Sequence, residues 1–445
     1  MDEKELILKK LRPQYKKYWE VGLFKEKKFF RQKCPKCKKF FWAIEKKSTC
    51  GDTDCTGKGY TFIGDSPCGK KFTYEETWKA IRDFFVSNGH TPVKSYPLVT
   101  RWFPGIYFTI ASIAAFQRKT RGKTVFEFPS NPLIIPQFCL RFPDIENVGV
   151  TGRHMTNFVM VGQHSKYNPK KKEGYWKDKC IDLDYKLLTE VFGIDPKEIT
   201  FVEDAWMGAG AFGYSLEYFV RGLEVGNAVF TDFIGTPQKY EVSREKVIDM
   251  GAGLERFTWL SQGTKTAYEA VYPEIETYKK KAKSEKELEA IYAIFDHVRG
   301  LLLAINDNAL PSNVGGGYNL RVILRRSLNF IDQYNLDLSL GEIARLHAKA
   351  LNGTGMLQKD LTKSLAQFDK IIAMEKAKYE ENKKKSAAII AKIIQERKIL
   401  SAEEMLVLYE SQGIHPEALL EEAGKSNFAI KIPADFYIQL MKRKE

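Results

Sequence analysis

The sequence predicts an α+β protein, an antiparallel sheet with flanking helices, preceded by a cysteine-bearing extension and followed by a helical domain. Three observations carry that prediction. Between residues 90 and 260, short runs of strand-forming residues are separated by Gly, Pro and Asn, without the helix alternation of a parallel doubly wound sheet. After about residue 265, helical spacing with Lys/Glu-rich faces takes over. Five of the seven cysteines fall in the first seventy residues. A chain of 445 residues is too long for one core. The change of texture divides it at 1–73, 74–265 and 266–445.

Residues 1–33 read as a basic amphipathic lead-in, and Phe40, Phe41 and Trp42 as a strand between two cysteine pairs. From Tyr74 to Asn88, Trp78, Ile81, Phe84 and Phe85 recur at helical spacing, and Asn88-Gly89 ends the helix. Strands are expected at Val125–Phe128, Phe158–Val161, Ile199–Glu203, Tyr218–Val220 and Ala228–Phe233. Helices follow over 275–310 and 320–350. The run from Lys359 to Leu400 sets Leu361, Leu365, Phe368 and Ile372 on one face. Ser401 and Glu404 form a capping-box pattern that opens another helix.

A hydrophobic content of 44% with 13% aromatics fits a folded protein. No apolar run approaches the roughly 18–20 residues of a membrane helix. The start, MDEKELILKKLRPQ, has no signal-peptide pattern, so a cytoplasmic location is expected. A net charge of +14 suits a polyanionic partner, although solubility alone would also explain it.

Four segments carry chemistry. Cys34, Cys37, Cys50 and Cys55 form C-x2-C and C-x4-C pairs, a spacing that suits one structural Zn²⁺ held by four thiolates. Cys68 is either a spare thiol or a substitute ligand. "CLRFPDIENVGVTGRHMTNFVMVGQHSK", residues 139–166, looks like two extended segments around a polar turn. Arg141 and Arg153 are its cations, and Phe158 offers an aromatic on the returning arm. A ligand both anionic and flat fits, and a nucleotide is the obvious candidate. "GAGAFG", residues 208–213, spells G-x-G-x-x-G after a strand, with Asp232 beyond it, which on paper is a dinucleotide-binding fingerprint. The following "YSLEYFVRGLEVG" is poor helix material, and no βαβ repetition surrounds it. Last, "VIDMGAGLERF", residues 247–257, sets a tight glycine turn before a helix and projects Arg256.

The hairpin and the "GAGLERF" string resemble motifs two and three of the alanyl-tRNA synthetases, within class II of the aminoacyl-tRNA synthetases, and the cysteine-bearing lead-in resembles their archaeal branch. "FDHVRGLLLAINDNALPSN", residues 295–313, resembles that family's tRNA-recognition region. The resemblance runs over nearly the whole chain. It implies a ligase that activates alanine with ATP and Mg²⁺ and passes it to the 3′ end of tRNA(Ala). It assigns Arg141 to the α-phosphate, Phe158 to the adenine, and Arg256 with Gly251 and Gly253 to the nucleotide and its γ-phosphate. Trp206, Asn227 and Asp249 fall to the alanine pocket, with Asp249 on the substrate ammonium. Asn313, together with Glu410 in place of the family's aspartate, falls to the G·U pair of the acceptor stem. His154 and His164 then read as structural or substrate-orienting groups.

Full-length members also carry an editing domain with an H-x3-H pair. The six histidines here, at 90, 154, 164, 297, 347 and 415, contain no such pair. Editing and the C-terminal domains are therefore expected elsewhere, on a removed part or on a separate chain. Two rival readings are a nicotinamide dinucleotide enzyme built on "GAGAFG" and a tRNA-binding subunit without catalysis.

Overall fold

The computed structural model describes residues 3–120, 123–208, 210–396, 399–414 and 416–443. His415 lies outside them. The chain divides into two compact units, the first made of Met1–Cys139, Phe158–Pro273 and Thr354–Gln358, the second of Leu140–Asn157, Glu274–Gly353 and Lys359–Glu445.

Eleven strands are described: β1 (Phe30–Lys33), β2 (Phe40–Ala43), β3 (Thr91–Pro92), β4 (Gln117–Thr120), β5 (Lys123–Phe126), β6 (Leu133–Leu140), β7 (Asn157–Tyr167), β8 (Ile199–Gly208), β9 (Ala211–Val220), β10 (Leu223–Gly235) and β11 (Tyr240–Gly253). Nine form one sheet in the order β1-β2-β8-β9-β10-β11-β7-β6-β3, while β4 and β5 make a separate hairpin. Among the described residues, β3 pairs parallel with β6, while β1 with β2, β2 with β8, β8 with β9, β9 with β10, β10 with β11 and β11 with β7 are antiparallel. The α+β expectation holds, but β7 to β10 run well past the short segments the sequence suggests, and β11 is a strand it does not suggest. Tertiary pairing extends them: β10 and β11 stay paired as far as Gly235 and Tyr240, across a register shift between Thr231 and Phe233.

Helices pack on this sheet. Tyr74–Ser87 starts at a full capping box, Thr73 with Glu76, and buries Trp78, Ile81 and Phe85. Glu3–Leu11 buries Ile7, Leu8 and Leu11. Trp19 is completely buried and donates its indole N–H to the Ser215 carbonyl at 3.0 Å, tying the lead-in to β9. Arg31 on β1 meets the buried Glu203 of β8 through two bonds of 2.6 Å, so the cysteine-bearing hairpin is joined to the sheet.

The second unit is helical. Glu285–Asn306 is buried without interruption from Ala290 to Ile305, as a helix apolar on all sides must be. Around it lie Gly315–Gln333, Leu340–Asn352, Leu365–Gln395, Ala402–Gln412 and Phe436–Lys442. The expected capping box at Ser401 and Glu404 is present.

Candidate active site and cysteine centre

Residues directly opposite each other in an antiparallel ladder share a face, and alternate residues along a strand return to it. Asp249 on β11 stands opposite His164 on β7 and Val229 on β10. Gly251 stands opposite Gly162 and Asn227, and Gly253 opposite Met160. Asn227 faces Glu217 on β9, two pairs from Gly213, which faces Trp206 on β8. Phe158 is two residues before Met160. Phe158, Trp206, Asn227, Asp249, Gly251 and Gly253 therefore occupy one face of one sheet. A sequence gap of almost a hundred residues closes through register alone.

The chemistry of that face is specific. Phe158 and Met160 are half-buried, whereas Val159 between them points to the core. A Cβ on Gly251 would come 2.8 Å from Met160 Sδ, so a side chain there would require the Met160 thioether to move. Asp249 is 8% exposed, and His164 Nδ1 lies 3.6 Å from its Oδ1. Burial lowers His164 to about 3, so the ring beside Asp249 is neutral. His164 Nδ1 also lies 3.3 Å from the Ile248 carbonyl, and Nε2 3.1 Å from Ser112 Oγ. That wedges the ring beside the carboxylate. Asn227 Oδ1 is buried and has no hydrogen-bond partner among the described residues, an acceptor ready for a ligand's N–H.

Arg256 projects from the helix Leu254–Gln262 and donates through Nη1 to the Glu224 carbonyl and carboxylate, each at 2.9 Å. The tight glycine turn expected before this helix is absent. Gly251 and Gly253 are the end of β11, at extended backbone angles where Gly253 caps the helix, and the strand runs straight into it. Glu255 was not foreseen. It is buried, accepts the Val159 N–H on both oxygens at 3.1 and 3.0 Å, and accepts the Tyr74 hydroxyl at 2.8 Å. It thus bolts β7, beside Phe158, to the helix that carries Arg256. An acid in a helix's first turn is ordinarily explained by the dipole, which hid this role.

The remaining predicted residues lie in the second unit. Arg141 is exposed, and its backbone N–H donates to the Thr156 carbonyl at 2.8 Å. His154 Nδ1 is 2.7 Å from Thr151 Oγ1. Asn313 accepts through Oδ1 from Arg321, which is itself held by two 2.9 Å bonds to Glu375. Glu410 accepts from Arg443 at 3.2 Å.

The dinucleotide reading of 208–213 fails. The stretch is the connection between β8 and β9, two antiparallel strands, with Ala209 outside the described residues. No helix follows whose N-terminus could face a pyrophosphate.

The four N-terminal cysteines come together. The Sγ atoms of Cys34, Cys37, Cys50 and Cys55 all lie within 4.8 Å of one another. Cys37 and Cys50 are 3.8 Å apart, the edge of a tetrahedron about 3.8 Å on a side that 2.3 Å Zn–S bonds require. Burial raises Cys34, but backbone N–H groups outweigh it and hold it at about 6. Burial pushes Cys55 up to about 11 and Cys50 further still. Four thiolates at this spot need a divalent cation to be stable together. Cys68 is outside the cluster, its backbone N–H on Ser66 Oγ at 3.1 Å, so it is no substitute ligand. The residues fit zinc. Elemental analysis should find one zinc per chain, and Cys37→Ser should release it; a metal-free protein with all thiols freely titratable would overturn this. No described helix is long and apolar enough to cross a membrane.

The fold and the one-sided site define a class. The family model for class II (A) tRNA synthetases matches residues 79–278 and 275–445, and the chain belongs to that family. Among curated relatives, the alanine–tRNA ligase of Nitrosopumilus maritimus is 44% identical over 99% of this chain and 53% of its own length. Those of Cenarchaeum symbiosum and Methanocella arvoryzae are 41% and 39% identical, over 98% and 100% of this chain and 53% and 55% of theirs. The chain spans about half the length of the curated relatives it matches.

Proposed function

We propose that the chain activates alanine with ATP and transfers it to the 3′ end of tRNA(Ala). The observation that carries this reading is the common sheet face of Phe158, Trp206, Asn227 and Asp249 in a class II family member. Phe158 stacks on the adenine, and Gly251 and Gly253 allow the nucleotide close to the backbone. Arg256 turns from Glu224 to the γ-phosphate, and Arg141 takes the α-phosphate. Asp249 holds the substrate ammonium, Asn227 Oδ1 supplies a second acceptor, and Trp206 bounds the small pocket. Asn313 and Glu410 read the acceptor stem. In this division 1–73 is the zinc extension, 74–265 the adenylating domain and 266–445 the tRNA-recognition domain.

The alanine carboxylate attacks the α-phosphorus in line, and pyrophosphate leaves. Negative charge builds on the phosphoryl oxygens, which the two arginines stabilise. Mg²⁺ supplies further charge neutralisation on the phosphates. The terminal ribose hydroxyl then displaces AMP from the adenylate. Buried and neutral, His164 orients Asp249 and does not act as a general base.

An amino-acid panel in ATP–pyrophosphate exchange tests this. Alanine should lead. Serine should follow roughly a hundredfold behind, because a nearly fitting site penalises an added hydroxyl only modestly. Glycine lacks one methyl and loses on the order of 1 kcal/mol. Measurable serine activation gives the editing activity, on a second chain or a further part of this one, something to correct. No exchange with alanine, or a better amino acid, would overturn the reading.

A further inference from the structure

The loop between β6 and β7, residues 141–156, is gripped by the helices of the second unit. Asp296, on Glu285–Asn306, is fully buried. It accepts the Thr156 N–H at 3.0 Å on Oδ1 and 3.1 Å on Oδ2, the Asn157 N–H at 3.4 Å, and the Thr156 hydroxyl. Behind it His297, also fully buried, places Nδ1 3.1 Å from Asp296 Oδ2 and Nε2 3.1 Å from Arg326 Nη1. A guanidinium only donates, so Nε2 accepts and Nδ1–H donates to Asp296. Burial lowers the His297 pKa and keeps that neutral form. Arg326 Nη1 also donates to the Ile145 carbonyl at 2.9 Å, so the same chain of groups holds the loop at both ends. In between, Gly149 has a φ of 90°, and a Cβ there would stand 2.2 Å from the Glu289 carbonyl oxygen.

Asp296 and His297 belong to the "FDHVR" stretch whose family resemblance points to tRNA recognition. At 0% exposure neither side chain touches RNA. What they hold is protein. The Arg141 N–H donates to the carbonyl of Thr156, the residue Asp296 clamps. A buried carboxylate is costly unless its oxygens are filled, and His297, Thr156 and Asn157 together fill these in this one arrangement.

We infer that Asp296, backed by His297 and Arg326, is a positioning residue for Arg141, fixing the loop so that the guanidinium meets the α-phosphate in one orientation. This rests on the role given to Arg141 above. Asp296→Asn turns an acceptor into an N–H that faces donors. It should lower kcat/KM for ATP in alanine-dependent exchange at least about tenfold while leaving the alanine KM within about twofold. Thr156→Val, which removes only the hydroxyl bond, should act in the same direction by a few-fold and serves if the first variant does not fold. In an Arg141→Ala background, Asp296→Asn should add less than about a further twofold, because the two act through one group.

Wild-type ATP kinetics in Asp296→Asn or, should that variant not fold, in Thr156→Val would overturn the inference, provided Arg141→Ala is impaired. So would an equal loss for both substrates, or full additivity in the double variant. Normal exchange by Arg141→Ala itself would instead remove the reading beneath it, and the inference with it.

Discussion

Arg141→Ala is expected to lower alanine-dependent pyrophosphate exchange by at least about a hundredfold while the fold survives. The loss of one preorganised donor aimed at charge that develops in the transition state costs on the order of 3–4 kcal/mol, which corresponds to a factor of several hundred. The fold should tolerate the change because the side chain is exposed and the bond from the residue 141 N–H to the Thr156 carbonyl is backbone only. Arg141→Lys should recover part of the rate. It restores the charge but not the planar fork that meets two phosphate oxygens at once. Near-normal exchange by the alanine variant, with its circular dichroism unchanged, would take the α-phosphate away from Arg141.

Such a result would also measure how far local sequence reading reaches. The helix Tyr74–Ser87 was legible because its apolar spacing and its cap at Thr73 agree. The cysteine centre was legible because two thiol pairs at knuckle spacing suit a single tetrahedral metal. The glycines of β11 misled, since glycine before a helix usually means a turn. Here the constraint is the Met160 side chain lying against Gly251, a neighbour ninety residues away. The common face of Trp206, Asn227 and Asp249 depends on register across β8 to β11, and register is a tertiary property. Glu255 and Asp296 look like ordinary helix acids in sequence. Only burial and their backbone partners reveal that one fastens β7 and the other the loop of Arg141.

Asp249→Asn should raise the alanine KM about tenfold to a hundredfold and leave the ATP KM within about twofold. The carboxylate is largely buried, and its imidazole neighbour is neutral. In the proposed reading the substrate ammonium is the charge partner that the substitution removes. Bonds to a charged partner contribute about 1.5–3 kcal/mol each, which sets the expected range. Asparagine keeps the size of the side chain and its place opposite Val229 and His164, so the sheet should be undisturbed. ATP binding should be unaffected because Phe158 on β7 and Arg256 on the helix after β11, to which the proposal gives the nucleotide, are unchanged. The asymmetry between the two substrates is the informative readout: a general loosening of the sheet would weaken both. A variant with wild-type alanine KM and turnover would place the ammonium on another acidic group, and Asp204 or Glu217, which share this face through their pairing with Ser215 and Asn227, would be next to test.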